Sequence, residues 1–156
     1  MYVRSLMMSL LLAFAAASSA PAAPGRHGTR SEAVAMVHRV QRMFAEKGAQ
    51  ATFEAIDDPK AAEFHDRDLY VFAYTLDGTC VAHGVRPALI GMNLMAIKDA
   101  DGNHLIREIV QITERKGSGW VDYKWPDPVT DRIENKSSYV ERMGKYVIGV
   151  GVYRPG

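Results

Sequence analysis

Residues 69–83 constrain the fold most strongly, because they have the pattern of a β-hairpin. Residues 69–76 are rich in aromatic and β-branched side chains, which is typical of strands. Asp77 and Gly78 follow, a dipeptide favoured in two-residue hairpin turns, and residues 79–83 form the returning strand. An antiparallel pair is therefore expected near the middle of the chain.

A long helix is predicted before this hairpin. Apolar residues recur at helical spacing over residues 34–44, and Ser31 is the expected N-cap. Gly48 ends this helix, and a shorter helical piece is expected over residues 49–56. The N-terminal part of the domain is therefore predicted to be mainly helical.

The second half of the chain predicts more strands. Residues 84–100 are irregular, and a helix with apolar side chains at i, i+3, i+4 and i+7 is expected from Asn103. Three strand-like segments follow, at residues 120–125, 137–143 and 145–153. Short turns make such strands antiparallel, so the predicted fold is α+β. It has a five-stranded antiparallel sheet of PAS-like type, a long N-terminal helix and helices packed on the sheet.

The N-terminus has the order of a secretory signal. A basic residue, Arg4, precedes an apolar run at residues 6–17, and Ala20-Pro21-Ala22 fits a small-residue cleavage site. Residues 1–22 are predicted to be a signal peptide, residues 23–31 a flexible lead-in and residues 32–156 a single domain. The expected location is periplasmic or secreted, and the alternative is an uncleaved membrane anchor.

Charge and motifs exclude several function classes. Without residues 1–22 the chain keeps 18 basic and 18 acidic residues, and this balance disfavours nucleic-acid binding. No nucleophile elbow, P-loop or C-x-x-C motif is present, so no enzymatic activity and no cofactor are expected. The five histidines are scattered, and residues 99–110 lack the Gly and Glu of a calcium loop, so no metal is expected.

The single cysteine, Cys80, lies in the returning strand of the hairpin. An exported chain with one cysteine has no internal disulfide, so its stability must come from the hydrophobic core. A buried thiol is the simpler interpretation of Cys80, and an intermolecular disulfide is the alternative.

Five blocks of this sequence resemble single Cache domains of the second type, and they occur in the family's order. The blocks are LYVFAYTLDGTCVAH at 69–83, IGMNL and DADG within 90–102, GWVDYKWP at 119–126, KSSYV at 136–140 and IGVGVY at 148–153. The resemblance implies an extracytoplasmic ligand-sensing domain with a PAS-like sheet, and ligands of related domains are often small carboxylates. Such domains usually sit between two membrane helices, and no second membrane helix is seen in this sequence.

The candidate ligand-binding residues combine aromatic walls, hydroxyl donors and cations, as a pocket for a small organic anion requires. They are Tyr74, His83, Arg86, Tyr123, Trp125, Lys136 and Tyr139. The alternative is that the aromatic residues belong to the core, that His83 is structural, and that Arg86 and Lys136 lie at the surface.

The predicted function is that of a free-standing exported binding module. It would bind a small molecule, such as an organic acid, between the sheet and residues 84–100. It would then report to a membrane partner: a sensor kinase, a chemoreceptor or a transporter. One alternative is an interaction protein that keeps the fold without a ligand, and a small enzyme is the least favoured.

Overall fold

The computed structural model describes residue 25 and residues 27–154. Its elements follow the order helix, three strands, helix, three strands. They are α1 (Arg30–Asp57), β1 (His65–Asp66), β2 (Leu69–Thr75), β3 (Cys80–His83), α2 (Leu105–Lys116), β4 (Ser118–Pro126), β5 (Ile133–Met143) and β6 (Tyr146–Arg154). The predicted signal peptide, residues 1–22, lies outside the described residues.

The sheet is antiparallel throughout, in the order β1-β2-β6-β5-β4. Strand β3 pairs with the same edge of β2 as β1 does, through the hairpin at Asp77 and Gly78. The α+β fold class and the five expected strands are confirmed. The two-residue strand β1 is an addition, and it is too short to leave a sequence pattern.

Helix α1 crosses one face of the sheet and bends at Gly48, whose backbone is not helical (φ 79°, ψ 179°). The expected cap at Ser31 is wrong, because Thr29 caps the helix. The Thr29 side chain accepts from the Glu32 N–H, and the Glu32 side chain accepts in return from the Thr29 N–H. The helix therefore begins at Arg30.

The sheet has two buried faces, because side chains alternate along each strand. Towards α1, the contacts are made by small and aliphatic side chains: Met36, Val37 and Val40 of the helix, and Val71, Ile148 and Val150 of the sheet. Towards α2 and the 84–100 connection lie larger side chains, many of them tyrosines: Tyr70, Phe72, Tyr74, Tyr123 and Tyr153.

Residues 84–100 contain one 3₁₀ turn, Pro87–Leu89, and are otherwise irregular, as expected, apart from an isolated antiparallel bridge between Asn93 and Thr79. Leu94 is buried against the second face, and Leu89, Met95 and Ile97 pack beside it. Among the described residues, no helix is both long enough and apolar enough to span a bilayer.

Candidate functional site

Lys136 lies at the centre of the tyrosine-rich face. It is on β5, opposite Tyr153 of β6 and Tyr123 of β4, and it is only 2% exposed. Its Nζ donates a hydrogen bond to the Tyr70 hydroxyl at 2.7 Å. The amino group also lies 4.9 Å from the centre of the Tyr153 ring. This lysine is therefore buried among aromatic rings.

Gly151 of β6 allows this placement. A Cβ atom at Gly151 would overlap the Lys136 Cε atom and would also clash with the Ser138 Oγ atom. Without a side chain at this position, the lysine stem can lie across β6 and reach Tyr70 on β2. Glycine inside a strand often marks such a close approach.

Tyrosine hydroxyl groups extend the site in both directions across the sheet. The Tyr70 and Tyr153 hydroxyls are 3.1 Å apart, and Tyr153 donates to the Pro126 carbonyl at 2.8 Å. The Tyr123 hydroxyl is 2.8 Å from the Ser138 Oγ atom. Burial raises the pKa of Tyr70 to about 12, so this phenol stays protonated near neutral pH.

The charge of Lys136 has no direct counter-ion among the described residues, where no carboxylate forms a salt bridge with it. Burial lowers the pKa of Lys136 well below its usual value. The more distant carboxylates of Asp68 and Asp127 act in the opposite direction, and Arg86 adds to the lowering. An anion beside the amino group would therefore favour its charged form, because it would supply a direct counter-ion.

His83 closes one side of the site, where its ring lies 5.2 Å from the Tyr70 ring. Its Nδ1 atom accepts from the Arg86 backbone N–H at 3.1 Å, so the neutral ring carries its proton on Nε2. Burial, followed by the charges of Lys136 and Arg86, lowers the pKa of His83 to about 3. His83 is thus a neutral hydrogen-bond donor near neutral pH.

The connection after β3 brings a second cation to the rim. Arg86 is half-buried, and its guanidinium carbon lies 5.9 Å from the Trp125 ring centre. The side chains of Arg86 and Trp125 therefore lie where the 84–100 connection meets β4. Trp125 is 9% exposed and packs at an angle to the Tyr123 ring.

Two buried carboxylates lie behind the tyrosines. Asp68 accepts from the Tyr153 N–H at 3.4 Å and from His27 Nδ1 at 3.2 Å. Asp127 accepts from the Val129 N–H through Oδ1, while its Oδ2 atom has no hydrogen-bond partner among the described residues and lies 3.9 Å from His27 Nδ1. His27 therefore connects the start of α1 to the rear of the site.

The structure brings five of the seven candidate residues together: His83, Arg86, Tyr123, Trp125 and Lys136. Tyr74 faces the same side but packs on Phe72, with ring centres 5.3 Å apart. Tyr139 lies on the opposite face, where its ring contacts Trp120 and His38. Lys136 and Tyr139 are three residues apart on one strand, and that odd spacing places them on opposite faces.

Three residues of this site, Tyr70, Tyr153 and Gly151, were not among the candidates predicted from the sequence. Tyr70 lies four residues before Tyr74, so the two share a face, and the Gly-x-Gly alternation at residues 149–151 marks a gap in the side chains of β6. These two signals were available in the sequence. The pairing of Lys136 with Tyr70, 66 positions away, required the fold.

The acidic residues near Asp99 serve a turn. Asp99 accepts from the N–H groups of Asn103 at 2.8 Å, Asp101 at 3.0 Å and Lys124 at 3.1 Å. Within the described part of the chain, no group of three or more His, Cys, Asp or Glu side chains is placed to hold a metal ion. The carboxylate of Asp99 thus fixes the loop before α2 against β4.

Comparison with known proteins shows the family. The model of a family described as "Cache domain" matches residues 48–154. Sensor histidine kinase MctS of Rhizobium johnstonii is 35% identical over 91 residues, which cover 57% of this chain and 20% of that protein. Methyl-accepting chemotaxis protein McpP of Pseudomonas putida is 32% identical over 91 residues, which cover 57% of this chain and 17% of that protein. The match therefore spans about a fifth of these relatives.

Solved structures agree with the fold. A methyl-accepting chemotaxis protein from Vibrio parahaemolyticus superposes with a TM-score of 0.70 at 24% identity, covering 80% of this chain and 87% of that one. A second structure, described as the basis for carboxylic acid recognition by a Cache chemosensory domain, has a TM-score of 0.63 at 27% identity. The superposition covers 79% of this chain and 86% of the chain in that structure. The chain belongs to the Cache domain family, whose members are the sensory ligand-binding domains of chemoreceptors and histidine kinases.

Proposed function

We propose that this Cache domain binds a small monocarboxylate beside Lys136, between the sheet and the 84–100 connection. The observation that carries the proposal is the Lys136 amino group, which is buried among aromatic rings and forms no salt bridge within the described residues. Burying a lone charge is costly, and a carboxylate would supply the missing partner. A neighbouring Cache structure is described as recognising carboxylic acids, which supports this ligand class.

The surrounding groups have complementary roles in this proposal. The Nε2–H of neutral His83 would donate a hydrogen bond to a carboxylate oxygen, and the Tyr70 hydroxyl would add a second by turning its proton from Tyr153 to the ligand. Tyr153, which donates to the Pro126 carbonyl, would hold Tyr70 in place. Arg86 would add a second positive charge at the rim, and Trp125 would cover the apolar end of the ligand. Tyr123 positions the lysine from β4.

We further propose that the domain acts outside the cytoplasm, as an exported binding module that reports to a membrane partner. Sensor kinases and chemoreceptors are the partner types suggested by the relatives, and a transporter is a third candidate. The apolar run near the N-terminus supports export. Ordering of the 84–100 connection by the ligand would change the surface that the partner contacts.

Calorimetric titration of the purified protein with propionate, and with neutral propionamide as the isosteric control, tests the ligand class. Propionate should bind and propionamide should not. Lys136→Met should weaken propionate binding by at least about 100-fold, because the buried cation is lost. Lys145→Met, at an exposed lysine in the β5–β6 turn, is the matched control and should bind normally.

Two results would contradict the proposal. Equal affinity for propionate and propionamide would show that Lys136 is not recognising a carboxylate. Failure of folded, empty protein to bind any compound in a screen of small carboxylates, amino acids and purines would favour an interaction module that has lost its ligand.

A further inference from the structure

The outer edge of β4 is open in the described structure. This strand is last in the sheet order and pairs only with β5. The Lys124 N–H donates to the Asp99 side chain and therefore points away from β5. The Gly117 carbonyl accepts from the Arg142 N–H of β5 and therefore points towards β5. Backbone directions alternate along a strand. The N–H and C=O groups of Trp120 and Asp122 therefore point outwards too, and no other described residue pairs with them.

A groove of about 450 Å³ runs beside this edge, between β4 and α2. Ile112 of α2 forms its floor over Gly119, where a Cβ atom would overlap the isoleucine side chain. Glu108, Gln111 and Arg115 line the groove on the same flank of the helix, one to two turns apart. The acidic Glu108 thus lies near one end of this row of groove-lining residues, and the basic Arg115 lies near the other end.

We infer that this edge and groove bind a second copy of the chain about a two-fold axis. Trp120 of each copy would lie opposite Asp122 of the other, and each such pair exchanges both backbone hydrogen bonds. The sheets would then continue from one copy into the other. A two-fold axis brings the same patch of both subunits together, so the patch must complement itself.

The charges on α2 meet this requirement. When two copies of the helix lie antiparallel, Glu108 of one faces Arg115 of the other, with Ile112 near the axis. Glu108 and Arg115 are both exposed and form no salt bridge within the described part of their own chain.

A second charge pair arises on the other face of the joined sheet. The Arg30 guanidinium lies 3.9 Å from the Trp120 ring centre, and Arg30 has no carboxylate partner among the described residues. The Asp122 side chain is exposed and forms no salt bridge with a basic side chain among the described residues. With Trp120 opposite Asp122 of the second copy, that carboxylate comes to the side where Arg30 lies. This complementarity favours a second copy over an unrelated peptide strand.

Asp99 limits the pairing to a short stretch, because its contact with the Lys124 N–H closes the edge beyond Asp122. The dimer should therefore be concentration-dependent. Sedimentation velocity of the purified protein over a range of concentrations should show a monomer–dimer equilibrium. The Trp120 and Asp122 amides should exchange hydrogen more slowly as the protein concentration rises. A monomer at every concentration would overturn the inference.

Charge reversal tests the geometry. Glu108→Lys and Arg115→Glu should each weaken dimerisation about tenfold, because symmetry turns two attractive pairs into two repulsive ones. The double variant Glu108→Lys/Arg115→Glu should restore it. Arg107→Glu and Glu114→Lys, on the other flank of α2, are the controls and should leave it unchanged. A dimer that is indifferent to the single reversals, in variants with normal circular dichroism, would place the interface elsewhere.

Discussion

The two faces of the sheet come from the same strands but differ in chemistry. The face under α1 is packed by aliphatic side chains such as Met36, Val37 and Val150. The face under α2 buries Lys136 and His83 among tyrosine hydroxyls. Buried polar groups reduce stability unless they are fully paired. The difference teaches that both faces bury a hydrophobic core, and that the α2 face gives up part of its apolar packing to bury polar and ionisable groups.

Shortening a side chain on the α1 face should lower the free energy of unfolding without changing propionate affinity. Met36 is 1% exposed, and Met36→Ala should lower the free energy of unfolding by about 2–5 kcal/mol through the cavity that it leaves. Urea unfolding measures this loss. Propionate affinity, measured by calorimetry on the folded fraction, should stay within about twofold of the wild type. A folded variant with tenfold weaker binding would show that the two faces are not independent.

Acid should destabilise the α2 face through His83. The folded-state pKa of about 3 lies below the ordinary value of 6.5, so below pH 6.5 the unfolded chain binds a proton that the folded chain does not. The free energy of unfolding therefore decreases as the pH is lowered. The limiting slope is about 1.4 kcal/mol per pH unit, and the loss between pH 7 and pH 5 is about 2 kcal/mol.

His83→Asn should remove this part of the pH dependence, because asparagine can accept the Arg86 N–H but has no proton to gain. Urea unfolding at pH 7, 6 and 5 measures the difference between variant and wild type. His38→Asn, on the exposed side of α1, is the control. If the wild type and His83→Asn lose stability in parallel, then His83 does not titrate as its burial requires.

A methyl group at Gly151 should disturb the site from within the sheet. Gly151→Ala places a Cβ atom where the Lys136 stem lies, so the amino group must leave Tyr70. Propionate affinity should fall about tenfold, as expected for a strained, overpacked position. Val152→Ala, the next residue but facing α1, should keep its affinity. Unchanged binding in Gly151→Ala would mean that the ligand does not need the lysine in this position.

Removing one hydroxyl from a tyrosine on each face should give the smallest difference in propionate affinity. Tyr153→Phe removes a hydroxyl bonded to Tyr70 and the Pro126 carbonyl and should weaken propionate binding about fivefold. Tyr139→Phe removes only a hydrogen bond to Glu141 on the α1 face and should change affinity less than twofold. Equal effects in the two titrations would remove the distinction between the faces.

Local patterns predicted most of the fold. Asp77-Gly78 fixed the hairpin, Gly48 marked the break in α1, and the apolar spacing after Asn103 located α2. These features depend on residues that are close in sequence. Thr29 was missed as the cap because Ser31 has the same capping chemistry two residues later.

The site was predictable only in part. The sequence indicated the residue types, and Lys136, His83 and Arg86 do converge. Tyr70 was missed because the pairing of β2 with β6, and of β6 with β5, brings it to Lys136, and no local pattern sets that register. Tyr139 was grouped with Lys136 although the alternation of side chains along β5 separates them.

The break at Gly48 has a mechanical consequence. Helix residues 30–47 are tied to the rear of the site through His27 and Asp68, whereas Asp57, at the far end of α1, accepts the His83 N–H at 2.9 Å. The two segments touch across the bend, because the Thr52 hydroxyl donates to the Gly48 carbonyl at 2.8 Å and the Phe44 and Phe53 ring centres lie 6.4 Å apart. The two segments of α1 thus have separate anchors at the candidate site, and the bend at Gly48 sets the angle between them.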